Sequence, residues 1–482
     1  MAGLASKVGA IDGTGPLASF DHPQGIAMGN DGTLFVADSG NNTIRAGWPS
    51  STPIAPSLRQ SMSTNLLHLS WPASATGFTL EASADLASPQ AWTPLTNGVS
   101  RVGDDFTMDR VRSAGPAFFR LRNPWRMMLH PVGSVVRDDL KTAVGVNVSP
   151  DGKHLYAAGY NAPAVTVFER DQTTGLLNNV QTLNERTNFD GVIAVSVSPN
   201  GNYVATAAFR PNAVTLLRRE AASGRLTVLD SARQGVNSVS GLSFVVDLAF
   251  SPDSKFIYAI ADTSAALSVF RVSDQEKLEL AQTLVGPESC FSGARGIAIS
   301  PDGRSIYVTS YRADTLVALD RDSTSGVATI RQIMRGGTNG VASLAGALSV
   351  ACSPDGQHVY VSSGRFRGAN AISAFKRKED GTLELMQEVT NGQSNLSGFL
   401  GGNSLLVTPD GTDVYAVATV SGTIACLDRS ITTGALTAMQ TVVNGIDGAG
   451  PLGFVSGICT SPDGKFVYIA AERDGAISIF RR

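Results

Sequence analysis

Charge is scarce in this chain: 16 % of its 482 residues are Asp, Glu, Lys or Arg, and they nearly cancel to a net charge of -3. No global pull towards nucleic acid or an anionic membrane surface follows from so even a balance. Long apolar runs are also missing. Nothing approaches the roughly eighteen consecutive apolar residues that a membrane-spanning helix needs. The four cysteines, Cys290, Cys352, Cys426 and Cys459, show no Cys-x-x-Cys pair and no regular spacing. They read as small buried hydrophobes, which excludes a disulfide framework or a thiolate zinc site. Only five histidines are present. The first residues, "MAGLASKVGAIDGTG", lack the basic and apolar regions of an export signal.

What is abundant is apolar residues, at 43 %, and turn chemistry, with 50 Gly and 22 Pro. A chain of this kind builds cores, and its length suits two or three domains. A stretch like "SPDGKHLY" recurs seven times, with its proline at Pro150, Pro199, Pro252, Pro301, Pro354, Pro409 and Pro462. By subtraction, these lie 49, 53, 49, 53, 55 and 53 residues apart. A period near fifty with strand-like flanks signals a radial or solenoid β array. In each unit four short apolar or alternating runs are separated by turns. Proline fixes the first corner of the hairpin, aspartate bonds the backbone ahead, and glycine accepts the positive φ. Tyrosine stands six residues after the proline in six units, at Tyr156, Tyr258, Tyr307, Tyr360, Tyr415 and Tyr468, and Ala205 departs. Such a column predicts packing between neighbouring sheets.

Seven four-stranded units predict an all-β, seven-bladed propeller over residues 126–482. The seventh unit stops after its third strand, at "GAISIFRR", while an extra strand, "RMMLHPVGSVV", precedes the first. Pairing the two would complete one blade and remove the exposed edges.

The first 125 residues differ. Residues 9–45, "GAIDGTGPLASFDHPQGIAMGNDGTLFVADSGNNTIR", resemble a single NHL repeat, so 1–48 is expected to be one propeller-blade fragment. One blade leaves its edges unpaired, which suggests that earlier repeats and an export signal precede Met1. An exported location fits the low lysine and high Gly/Ser/Thr/Ala content. After the linker "WPSSTPIAPS", alternating strands around Trp71 over 57–123 resemble a small fibronectin-III-like sandwich acting as a spacer.

The repeating units, such as "VTVFERDQTTGLLNNVQTL" and "SPDGKFVYIAAERDGAISIFRR", resemble the lactonase-type seven-bladed propellers, relatives of 6-phosphogluconolactonase and carboxymuconate cyclase. The resemblance covers the propeller and rests on turns and blade-core positions. It implies hydrolysis of an anionic sugar lactone without a metal or other cofactor. The other reading is a non-catalytic exported propeller that binds a ligand or protein partner; a monomer is expected in either case.

Because the units can be aligned with one another, outliers mark candidate site residues. Eleven residues after each proline, at the rim opposite the Pro-Asp-Gly turns, stand Arg210, Arg312, Arg365 and Arg473 in four of seven units. Tyr160, Phe209 and Tyr311 occupy the preceding column. Arginines with aromatics suit an anionic or sugar-like ligand, and pairing with nearby aspartates is the structural alternative. Five residues before each proline, on the innermost strand, Asp247 is the one charge among Gly, Ala and Ser. It is the candidate general base, or else a carboxylate that satisfies backbone N–H groups. His154 and His358 sit beside the turns at the other rim, which argues against a histidine-based triad or zinc site at the channel mouth.

Overall fold

In the computed structural model each Pro-Asp-Gly corner closes a hairpin whose geometry follows from its residues. At the first, Asp151 accepts hydrogen bonds from Ser149 Oγ (2.5 Å) and Lys153 N (3.1 Å), and Gly152 takes φ +70°. The structure describes residues 129–482 except 338–340, 365–367, 394–395 and 447–448. Before these it describes 23–28, 34–39, 43–47, 58–63, 66–72, 79–83, 93–95, 99–103, 105–111 and 118–122. Two compact units result, Met1–Pro124 and Trp125–Arg482.

The larger unit is the expected propeller: seven four-stranded antiparallel sheets in repeated order. Blade one runs from the innermost strand Ala143–Val148 through His154–Gly159 and Ala164–Arg170 to the outer strand Leu177–Asn184. The last blade is built from both ends of the unit. His130–Val136 pairs antiparallel with Ala476–Arg481, from His130 opposite Arg481 to Val136 opposite Ala476. The outer edge of Ala476–Arg481 is thereby covered and the last blade brought to four strands.

The tyrosine column is fully buried, and each ring belongs to an inter-blade clasp. Arg219, at the end of the third strand of blade two, donates to Tyr156 Oη of blade one (2.8 Å). It also donates to the Gly201 carbonyl of its own turn (3.0 Å) and pairs with Asp151 of blade one (2.7 Å). Tyr156 in turn donates to the Gly224 carbonyl (3.0 Å). Arg170, Arg321, Arg377 and Arg429 repeat the arrangement on Tyr468, Tyr258, Tyr307 and Tyr360. Arg482 closes a sixth through Asp410 and Asp413 beside Tyr415. Burial pushes the phenols of Tyr156, Tyr258, Tyr307 and Tyr360 up to about 12. The seventh interface, between blades two and three, has Asn200, Ala205 and Val272 where the clasp would have Asp, Tyr and Arg. There an apolar cluster, with Ala205, Phe250 and Phe270 buried and Val272 packed on it, fills the seam. The departure at Ala205 is one part of a concerted replacement.

In the smaller unit, Pro23–Met28, Leu34–Asp38 and Thr43–Gly47 form one antiparallel sheet. Residues 59–122 contribute a four-stranded and a three-stranded sheet around Leu69, Trp71, Leu80 and Met108.

Candidate active site

The seven innermost strands converge on a cavity of about 540 Å³. Convergence explains the small residues of the innermost column. A Cβ on Gly457 would stand 2.3 Å from the Val144 carbonyl, and one on Gly145 2.8 Å from that of Ile193. Asp247 is the exception, on the innermost strand Val245–Phe250 of blade three. Its Oδ1 accepts from Leu248 N (2.8 Å) and its Oδ2 from Ile297 N of blade four (3.2 Å). It also lines the cavity and is partly exposed there. Desolvation outweighs the two backbone hydrogen bonds and pushes its carboxyl up to about 7. Such a group holds or releases a proton near neutrality.

Of the aromatics singled out in sequence, Tyr160 and Phe209 line this cavity. They stack at 5.1 Å between ring centroids, and Phe244 continues the wall at 4.6 Å from Phe209. Arg210 lies 5.3 Å from both the Tyr160 and Phe209 rings and is paired with Asp190 (2.8 Å). Arg312 donates to Tyr311 Oη (3.0 Å) and pairs with Asp262 (2.7 Å). Arg473 lies over Phe454 and lines a neighbouring cavity of about 630 Å³ with Asn161 and Lys141. Arg365 falls outside the described residues. Asp247, Tyr160 and Phe209 thus share the channel, while Arg210 and Arg312 turn to carboxylates outside it.

Among the described residues the guanidinium in the cavity lining is Arg295, which stands in neither of the two columns that single out candidates in sequence. It pairs with buried Asp262 (2.8 Å) and sits 5.9 Å from the Phe244 ring and 5.0 Å from Tyr311. Its Nε is buried without a hydrogen-bond partner. Asp262 is shared between Arg295 and Arg312. A signal for it existed. Six residues before the turn prolines stand Val144, Ile193, Val246, Arg295, Leu348, Asn403 and Ser456, and the one charge is Arg295.

The buried histidines stay with the clasps: His154 Nδ1 meets Arg219 Nη2, and His358 Nδ1 meets Arg429 Nη2, each at 2.9 Å. Burial, then the arginine charge, lowers their pKa values. Among the described residues no group of three or more His, Cys, Asp or Glu is placed to hold a metal ion, and no helix is long and apolar enough to cross a membrane.

The lactonase family, described as a 7-bladed β-propeller, matches residues 138–240, 246–340 and 292–395, more than half of the chain. The chain belongs to the lactonase family. The NHL repeat matches residues 20–46, inside the segment read as NHL-like. Among solved structures, this lactonase-family propeller is similar to a candidate 6-phosphogluconolactonase from Bacteroides uniformis. Identity is 21 %, 76 % of this chain and 97 % of that one are covered, and the TM-score is 0.53. A counterpart from Bacteroides fragilis gives 17 % identity, 77 % and 96 % coverage and 0.52. Hydrazine synthase of Kuenenia stuttgartiensis matches equally well, at 17 % identity, 72 % and 97 % coverage and 0.53. Similarity across such different proteins carries the fold, and the chemistry has to be argued from the channel. No curated protein matches the chain in sequence.

Proposed function

We propose that the channel hydrolyses a sugar lactone bearing an anionic group. The observation that carries this reading is Asp247: a carboxylate in the cavity wall of a lactonase-family propeller, with its pKa raised to about 7. In its ionised form Asp247 takes a proton from water as the water oxygen bonds to the lactone carbonyl carbon. The ring C–O bond then breaks, and the proton held by Asp247 passes to the leaving ring oxygen. The product is the open hydroxy acid. Arg295 supports the negative charge that develops on the carbonyl oxygen, in a site where its own mobility is limited by Asp262 and two rings. Arg295, in the cavity lining itself, supplies the preference for an anionic substituent. The residues over 57–123 are read as a fibronectin-III-like spacer.

The test is release of acid from 6-phosphogluconolactone and gluconolactone by wild type, Asp247→Asn and Arg295→Met. Hydrolysis by wild type, faster for the phosphorylated lactone and lost in Asp247→Asn, is expected. If wild type adds nothing to the rate in water, hydrolysis is ruled out and a binding propeller remains.

A further inference from the structure

Eight residues before each turn proline the chain enters the innermost strand through a left-handed corner. Four of the seven residues there are glycine, Gly191, Gly293, Gly346 and Gly401, with φ between +68° and +76°. The other three are Thr142 at +57°, Phe244 at +59° and Phe454 at +60°. A β-branched or aromatic residue in this region is strained, and such strain persists where a side chain is needed. Glycine suits the corner when the following hairpin covers it: a Cβ on Gly191 would stand 2.4 Å from the Phe209 ring. Phe244 instead places a ring in the cavity wall, against Phe209 and Arg295.

The wall and the carboxylate lie at different depths. Phe244 stands at the corner just before the strand Val245–Phe250 and Asp247 three residues further on, a separation of at most about 10 Å along the backbone. A single ring reacting at Asp247 leaves the wall of Tyr160, Phe209 and Phe244 uncovered. Deeper in, Asn147, Ser196, Ser349 and Ser404 line the channel with amides and hydroxyls, groups that recognise a polyhydroxylated ligand. We propose that the site takes a lactone two sugar rings long, with the reacting ring at Asp247 and the second ring flat on the aromatic wall. Phe244 is then the residue that sets substrate length. This rests on the proposed lactone reading.

The test uses the stable hydrolysis products, so that it does not depend on turnover. Cellobionate and gluconate carry the same charge and differ by one ring. Calorimetric titration of wild type should show cellobionate binding roughly tenfold more tightly, the scale of one ring stacked on aromatic side chains. Phe244→Gly should bring the two affinities within about twofold, the strain relieved at the corner partly offsetting the packing lost with the ring. Phe244→Leu keeps the packing volume if the glycine variant unfolds, and it should also lose the preference. Equal binding of the two acids by wild type, or a preference that survives both variants, overturns the proposal. Preference without lactone hydrolysis would keep the two-ring site and remove the catalytic reading; hydrolysis without preference would do the reverse.

Discussion

Replacing Arg429 by Met should cost the propeller about 3 kcal/mol, and the structure shows where that comes from. The Arg429 side chain is fully buried, with Nε to Tyr360 Oη at 2.7 Å, Nη1 to the Gly411 carbonyl at 2.8 Å and Nη2 to Asp355 at 2.7 Å. Breaking a buried ion pair by removing one partner costs about 3–5 kcal/mol when the remaining charge cannot rehydrate. Asp355 is 31 % exposed and can partly do so, which takes the loss towards about 2 kcal/mol. Leaving the Gly411 carbonyl unsatisfied adds about 1 kcal/mol. Tyr360 keeps its bond to the Gly434 carbonyl (2.8 Å) and adds little. For a unit of this size the loss corresponds to a fall of about 4 °C in the thermal midpoint. Calorimetry on wild type, Arg429→Met, Asp355→Asn and the double variant gives the coupling directly. The double variant should be less destabilised than the sum of the singles, because Arg429→Met alone leaves a charge behind. A shift under 1 °C for Arg429→Met, or strict additivity, would show that the clasps are not what joins the blades.

Two further outcomes follow from the same structure. Asp247 binds its proton more tightly folded than unfolded, so stability should fall as pH rises from about 4 to about 7 and level off above. The difference is at most about 4 kcal/mol for a shift from 3.8 to about 7. Asp247→Asn should remove that slope in thermal unfolding measured across the range, and an unchanged slope would refute it. Starting the chain after Val136 exposes the edge of Ala476–Arg481, whereas starting it at Arg126 does not. Light scattering on heating should show earlier aggregation for the shorter form alone, and equal behaviour of the two would contradict the closure.

The architecture was legible because it is written seven times. Turn residues, the tyrosine column and the strand missing from the last unit are local signals, and repetition averages out accidents. The clasp was only half legible. Its tyrosines stood out, while Arg170, Arg219, Arg321, Arg429 and Arg482, each twenty residues after a turn proline by subtraction, are recognisable only once the blades are known to meet there. Asp247 was found as a charge among small residues, and its neighbour column would have yielded Arg295 in the same way. An exposed strand end offers a guanidinium many partners, and Arg210 and Arg312 are paired with Asp190 and Asp262, the alternative that the sequence left open. Phe244 could not be read as strained, since nothing in a sequence announces a phenylalanine at positive φ.

The central claim is that Asp247 is the base of a channel hydrolase. The most direct measurement is kcat/KM for 6-phosphogluconolactone between pH 5 and pH 8, corrected for the spontaneous rate. The account predicts a rate that rises through a pKa of about 7 as the carboxylate ionises, and no such rise in Asp247→Asn. A wild-type rate indistinguishable from water, or a profile that Asp247→Asn retains, would contradict it.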